Sequence, residues 1–289
     1  MKKNIFVVGA TGNQGGAVAR ALLTSGNDVT GLTRNVDGPG AQRLRALGAR
    51  MVSAQLTDAN TLARAMQGTD GVFALTTPFG SSPQNEVVQG ATLIEAATLA
   101  GVGQFIFSSV GSADQATGVP HFESKFRVEQ ELRESGLRHT VLRPVYFMQN
   151  MLSPSGQKAL REGAFARPLP ANCRLQQMSL KDYAQVVVTV VDEPDRFVGH
   201  AIDIASDELT GVEQAEGLGR VLDEPVRYRE LPFDVLGPEG SDIRLMFEWL
   251  AKVGYRAEIA RLRSMFPNIR WQSFEDWARQ QGRESLLGP

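Results

Sequence analysis

Gly9, Gly12 and Gly15 recur at every third position directly after the apolar run Ile5-Phe6-Val7-Val8. A glycine at the first place lets the chain turn sharply out of a strand. One at the second lets the backbone approach an anion without a Cβ in the way, and one at the third (Gly15 or its neighbour Gly16) lets a helix sit close to the strand. The unpaired N–H groups and the positive dipole end of such a helix suit a pyrophosphate. At the first strand–helix junction of a βαβ pattern the spacing signals a dinucleotide site. It assigns Gly9, Ala10, Thr11, Gly12, Asn13, Gln14 and Gly15 to cofactor binding.

The residue after the second strand decides which dinucleotide is expected. An NAD site usually puts an Asp or Glu there to bind the ribose 2′-hydroxyl. Here the run Asp28–Thr33 ends in Arg34-Asn35, and a guanidinium suits a 2′-phosphate through charge-assisted hydrogen bonds. Asp28 stands at the wrong end of the strand, while Asp37 is near enough to keep NAD(H) as the alternative. The expected cofactor is NADP(H).

Other side chains with chemical potential read as structural. His139 and His200 sit at strand entries without the acidic spacing of a metal site. Cys173 is the single cysteine, so it forms no internal disulfide and has no partner for a cysteine-based metal site. Glu129, Glu131 and Glu134 read as a solvated helix face. The aromatic residues of the tail, Phe247, Trp249, Tyr255, Phe266, Trp271, Phe274 and Trp277, read as packing against the main domain.

The elements that must position these residues follow from the hydrophobic pattern. Apolar, β-branched runs at 4–8, 28–33, 50–54, 71–75, 104–108 and 139–142 alternate with helical patterns near 15–24, 41–47, 60–66, 84–100 and 122–135. Several runs are apolar almost throughout, as in strands covered on both faces. This rhythm predicts an α/β fold, a Rossmann-type doubly wound parallel sheet in residues 1–151, with a smaller α+β C-terminal portion in residues 152–289. In that portion 152–174 reads as loop, followed by a helix at 180–191, a strand at 201–204, a helix near 211–222, a strand near 226–231 and three tail helices. Part of it is expected to return to the sheet, and the rest to form the substrate or partner cleft.

Taken together, Gly9–Gly16, Arg34, the segment Val119-Pro120-His121-Phe122-Glu123-Ser124-Lys125, the segment Leu142–Asn150 and the segment Ile202–Gly211 resemble the NmrA-like family up to about Leu231. These are atypical short-chain dehydrogenase/reductases, among them NADPH-sensing regulators. Ordinary short-chain dehydrogenases use a Tyr-x-x-x-Lys pair on one helical face, the tyrosine as acid or base and the lysine lowering its pKa and holding the nicotinamide ribose. The matching pair here is His121 and Lys125, so the tyrosine is absent, as in the sensor-like members. The resemblance implies the ribose role for Lys125 and leaves His121 as a candidate acid at neutral pH. Ser108 and Ser109 lie in the region of the dehydrogenase serine, but a short connection to His121 leaves them without an assigned catalytic role. By position the resemblance also implies cofactor contacts at Thr76, Thr77 and Pro78, at Phe147, Met148, Gln149 and Asn150 around the nicotinamide, and at Gln55 and Leu56 near the adenine edge. Gln55 stands where relatives often carry an acid.

Composition bounds the remaining readings. Apolar residues at 42% and charged residues at 21% are those of a globular protein, and the net charge of -2 offers no basic excess for direct nucleic-acid binding. The apolar run at the N-terminus is far too short for a signal segment or a membrane span, so a cytoplasmic protein is expected. Two functions stay open: an NADP(H)-binding redox sensor or regulator with weak or no turnover, acting through a protein partner, and an NAD(P)H-dependent reductase of quinones or other conjugated carbonyls.

Overall fold

The computed structural model describes residues 2–288. By chain contacts it divides into two compact units. The first comprises Met1–Ala116, Pro120–Arg143 and Tyr183–Ile202; the second comprises Thr117–Val119, Pro144–Asp182 and Asp203–Pro289.

The first unit alternates strands and helices: β1 (Asn4–Val7), α1 (Asn13–Thr24), β2 (Asp28–Leu32), α2 (Pro39–Ala46), β3 (Arg50–Val52), α3 (Ala59–Met66), β4 (Gly71–Leu75), α4 (Pro83–Ala100), β5 (Gln104–Ser108), α5 (Pro120–Glu134) and β6 (His139–Pro144). Its sheet has seven strands in the order β10-β6-β5-β4-β1-β2-β3, the seventh being β10 (Ala201–Ile204) from late in the chain. The pairs β1–β2, β1–β4, β2–β3, β4–β5 and β5–β6 are all parallel. Strand order reverses between β1 and β4, and in open α/β sheets ligands bind at the carboxyl ends of strands at such a switch point.

The strands are apolar because helices cover both faces. Phe6, Phe105 and Phe107 from the sheet pack with Leu62, Leu93 and Val128 from α3, α4 and α5 in one buried cluster. Each such side chain stabilises the fold by roughly 1.5–3 kcal/mol on burial. Local signals fix the helix ends. Ser82 accepts a hydrogen bond from the Asn85 N–H before α4, and Gly101 closes that helix in the left-handed conformation at φ 66°.

The second unit contains β7 (Tyr146–Phe147), α6 (Pro154–Arg161), β8 (Ala164–Arg167), β9 (Arg174–Met178) and the start of α7 (Leu180–Asp192), whose remainder lies in the first unit with α8 (Pro194–Phe197). After β10 come β11 (Asp207–Thr210), α9 (Gly211–Leu222), β12 (Arg227–Glu230), α10 (Asp242–Lys252), α11 (Ile259–Met265) and α12 (Phe274–Leu287). The strands form two small sheets, β11-β9-β7 and β12-β8. Phe274 and Trp277 pack with Met148, Leu160, Phe165 and Leu218 in this unit's own core. No described helix is long and apolar enough to cross a membrane.

Two sequence expectations need correction. Residues 152–174 are not a loop, since they hold α6 and β8. Ser153 accepts a hydrogen bond from the Gly156 N–H and Pro154 occupies the first helical turn, so the residues read as loop-formers are a helix start. The strand β8 pairs with β12, about sixty positions later, a partner that no local pattern announces. Glu129 does not belong to a solvated face; it is fully buried, with the partners described below.

Candidate functional site

The glycine turn stands at the switch point. The Val8 N–H donates to Phe73 O on β4 at 2.9 Å, and the Ala10 N–H donates to Leu32 O on β2 at 3.1 Å. Gly9 takes φ 63°, the left-handed conformation that makes the turn. At Gly15 a Cβ would meet Gly9 O at 2.4 Å and Val8 O at 2.7 Å, so this glycine is what lets α1 sit against the turn. Gly12 precedes the helix, is exposed, and supplies no side-chain cap; no acidic residue stands in the first turn. The leading N–H groups of α1 and its positive dipole end are therefore available to an anion.

A side-chain bond joins this turn to the second strand. Thr11 Oγ1 and Thr33 Oγ1 lie 2.9 Å apart, and Thr33 Oγ1 also accepts from the Asn35 N–H at 3.3 Å. Arg34 lies between them in the chain, exposed, with no protein partner among the described residues. Asp28 is bound to Lys2 at the far end of β2, 2.8 Å away.

At the end of β4 a second cluster forms around Glu86, a wholly buried carboxylate in the first turn of α4. Glu86 Oε1 accepts from Lys125 Nζ at 2.8 Å and from Thr76 Oγ1 at 3.0 Å, while Oε2 accepts a short bond from Ser124 Oγ. Lys125 Nζ also donates to Thr76 O at 2.9 Å. Lys125 is thus held at the carboxyl end of β4 rather than solvated on the face of α5. His121, one turn before it, is buried, with its ring edge-on to Phe122 at 4.7 Å and tilted against Phe79 at 5.6 Å.

A third cluster lies at the end of β5. Ser108 Oγ accepts from Gln14 Nε2 at 2.5 Å and from Tyr183 Oη at 2.6 Å. Tyr183 is buried in α7, and that burial pushes its phenol well above the usual tyrosine range, partly offset by the hydrogen bonds to Ser108 and Gln14. A phenol shifted in this direction stays protonated at neutral pH, which does not suit the acid–base role of the missing Tyr of Tyr-x-x-x-Lys. Ser109 Oγ donates to Glu129 Oε1 at 2.6 Å. The same carboxylate takes a forked pair from Arg143, Nε to Oε1 at 3.0 Å and Nη2 to Oε2 at 2.7 Å, and a bond from Arg133 at 2.9 Å. Arg143 Nη1 reaches Asp114 at 2.6 Å. This buried network fixes the ends of β5 and β6 against α5.

The first unit therefore brings together Gly9–Gly15, Arg34, Thr76 and Lys125 at the carboxyl ends of neighbouring strands. Thr77 and Pro78 follow in the same segment, each engaged in its turn: Thr77 Oγ1 accepts from the Phe79 N–H and Pro78 O from the Ser81 N–H. Gln55 and Leu56 stand beyond β3, which already ends at Val52; Gln55 is exposed and Leu56 packs on the core. Phe147, Met148, Gln149 and Asn150 belong to the second unit, where Met148 is buried in the core and Gln149 Oε1 accepts from the Leu180 N–H at 3.1 Å. Sequence reasoning missed Glu86, Arg143 and Tyr183. Only Glu86 left a signal, an acid in the first turn after Ser82-Pro83.

A profile of the NmrA-like family matches residues 1–278. The chain is 31% identical over 271 residues to the NmrA-like family domain-containing oxidoreductase hkm9 of Aspergillus hancockii, covering 84% of this chain and 81% of that protein. It is 32% identical over 231 residues to the NAD(P)H azoreductase of Xenophilus azovorans, covering 78% and 76%. The fold is similar to that of the NADPH-dependent quinone oxidoreductase QOR2 of Escherichia coli, solved with NADPH, at a TM-score of 0.80 and 23% identity over 96% of this chain and 99% of that one. With the glycine turn, the reversed strand order and a profile match running nearly end to end, the chain belongs to the NmrA-like family.

Proposed function

We propose that the chain binds NADP(H) and passes reducing equivalents to a conjugated acceptor such as a quinone. The observation that carries this reading is the Thr11–Thr33 bond, which ties the anion-ready glycine turn to the strand end bearing the unpaired Arg34. The residues fit the group. An uncapped helix start and exposed Gly12 suit a pyrophosphate, and a free guanidinium one strand over suits a 2′-phosphate. Lys125, oriented by Glu86 and Thr76 O, would hold the ribose hydroxyls. When bound, the reduced nicotinamide supplies a hydride. Reduction of a quinone needs positioning more than a dedicated tyrosine, because the oxygen that gains charge draws its proton from solvent, Lys125 or His121. The reductase activities of the azoreductase and the quinone oxidoreductase support the reductase reading.

A second reading, an NADP(H)-responsive regulator with little turnover, is favoured by one observation. His121, where short-chain dehydrogenases place their tyrosine, is buried between the Phe79 and Phe122 rings. One experiment separates the two. NADPH oxidation is followed against a panel of quinones, and protein retained on the immobilised chain is compared with NADP and with NADPH. Turnover above background with at least one quinone is expected. Background rates throughout, with retention that depends on the redox state, would replace the reductase reading by the regulator.

A further inference from the structure

Arg167, the last residue of β8, is only 5% exposed, yet it lacks the counter-charge that a buried guanidinium needs. Its guanidinium carbon lies 4.9 Å from the centre of the Tyr146 ring and 4.8 Å from that of Phe165. Its one hydrogen bond runs from Nη1 to Gln214 Oε1 at 3.2 Å, and no carboxylate pairs with it among the described residues. Arg143, buried to the same degree, binds two, Glu129 and Asp114. Tyr228 supplies no charge either: its phenol, pushed up to about 12 mainly by burial, is neutral and donates to the backbone oxygens of Arg167 and Leu169.

An arginine offers five in-plane donors, and stacking on aromatic rings occupies its faces rather than those donors. With Nη1 engaged by Gln214, the edge formed by Nε and Nη2 has no acceptor among the described residues. That edge is the one that binds a carboxylate through two parallel hydrogen bonds.

Gln177 provides an independent observation. It is fully buried, and neither its amide oxygen nor its amide nitrogen has a partner among the described residues. In the pairing of β7 with β9, Gln177 is opposite Tyr146, so the two side chains leave the sheet on the same face. An unpaired amide therefore shares a face with a ring that contacts an unpaired guanidinium. All five residues, Tyr146, Phe165, Arg167, Gln177 and Gln214, belong to the second unit.

We propose that the second unit carries a binding site for a planar organic anion, with its carboxylate on the Nε–Nη2 edge of Arg167, its ring system along Tyr146, and a hydroxyl or carbonyl on the Gln177 amide. This site is independent of the dinucleotide reading, since it uses none of the residues at the glycine turn.

Calorimetry on the full chain tests it with naphthoate, its neutral amide and a hydroxynaphthoate, without dinucleotide present. Naphthoate is expected to bind at least about tenfold more tightly than naphthamide, as a charge-assisted contact implies. Arg167→Met, which keeps the packing on the two rings, should erase that preference, and Arg167→Lys, which keeps charge without the fork, should retain part of it. Gln177→Leu should weaken hydroxynaphthoate while leaving naphthoate unchanged. Thermal unfolding of each variant, with naphthoate raising the midpoint of the wild type and of Gln177→Leu fully, of Arg167→Lys in part and of Arg167→Met not at all, separates lost binding from lost folding. The site is rejected by equal affinity for naphthoate and naphthamide, by a wild-type preference surviving in Arg167→Met, or by no binding of any probe at millimolar concentration.

Discussion

Lys125 Nζ lies 2.8 Å from Glu86 Oε1, and Glu86 has no exposure to solvent at all. The carboxylate accepts from three donors, Lys125, Thr76 and Ser124, and Lys125 is the one that brings a counter-charge. Removing one partner of such a pair leaves an uncompensated charge in a low-dielectric setting. Glu86→Gln keeps the shape and removes the charge. It is expected to cost about 3 kcal/mol of stability, within the range for breaking buried pairs. It should also weaken NADPH binding by releasing Lys125 from Thr76 O. Urea unfolding and an NADPH titration on the same variant check both; unchanged affinity would show that Lys125 takes no part in holding the cofactor.

Gly12 and Gly15 separate the cofactor's needs from the fold's. A Cβ at Gly15 would sit 2.4 Å from Gly9 O, a backbone atom that cannot move aside, whereas one at Gly12 would meet nothing nearer than Gly9 O at 3.3 Å. Gly15→Ala should therefore lower the thermal midpoint whether or not a dinucleotide is present. Gly12→Ala should fold with a near-native midpoint and lose NADPH binding, because the methyl group occupies the approach to the helix start. Tight NADPH binding by a folded Gly12→Ala protein would remove the pyrophosphate from this turn.

Under the proposed reading, Arg34 would carry the choice between the two nicotinamide dinucleotides. It is exposed and unpaired, so truncating it costs the free protein nothing in contacts. Arg34→Ala is expected to weaken NADPH roughly tenfold to a hundredfold, the value of one or two charge-assisted bonds to a phosphate, with little change for NADH. Equal losses for both would reject the assignment and return attention to Asp37, which is exposed nearby.

What was legible in the sequence follows from the range of the interactions involved. The glycine turn is local, and so is the Thr210–Glu213 capping box that starts α9. The Arg34 position was legible because it closely follows the end of β2, a strand that the local apolar run marks. Glu86 was not: it is 39 residues from Lys125, and only the folding of β4 and α4 beside α5 brings them together. Glu129 was misread for a related reason. Its neighbours Glu131 and Glu134 are half-buried and exposed, so the charge pattern looks solvated, while its real partner Arg143 arrives on the next strand. Arg167 carries no signal of its own; its exceptional state lies in the missing carboxylate, which a sequence does not display.

Asp182, at the start of α7, sets a pH dependence of opposite sign to that of an ordinary ion-paired acid. It is buried and accepts the Gln272 N–H at 2.8 Å. Burial pushes its carboxyl up from 3.8 to about 6, against the lowering effect of the bonds to Gln272 and Ser179 and of the charges on Lys181 and Arg263. Below pH 3.8 both folded and unfolded chains hold the proton, and Asp182 contributes nothing. Between 3.8 and about 6 only the folded chain holds it, so stability falls as pH rises. Above that window the loss is complete, up to about 3 kcal/mol by linkage. Asp182→Asn mimics the protonated acid and escapes the loss. Its stability advantage over the wild type should be small near pH 4, grow through pH 6 and then level off, as read by urea unfolding across that range. An advantage that stays constant with pH would mean that Asp182 titrates in the folded protein as it does in the unfolded chain, and that the Gln272 and Ser179 bonds fully offset its burial.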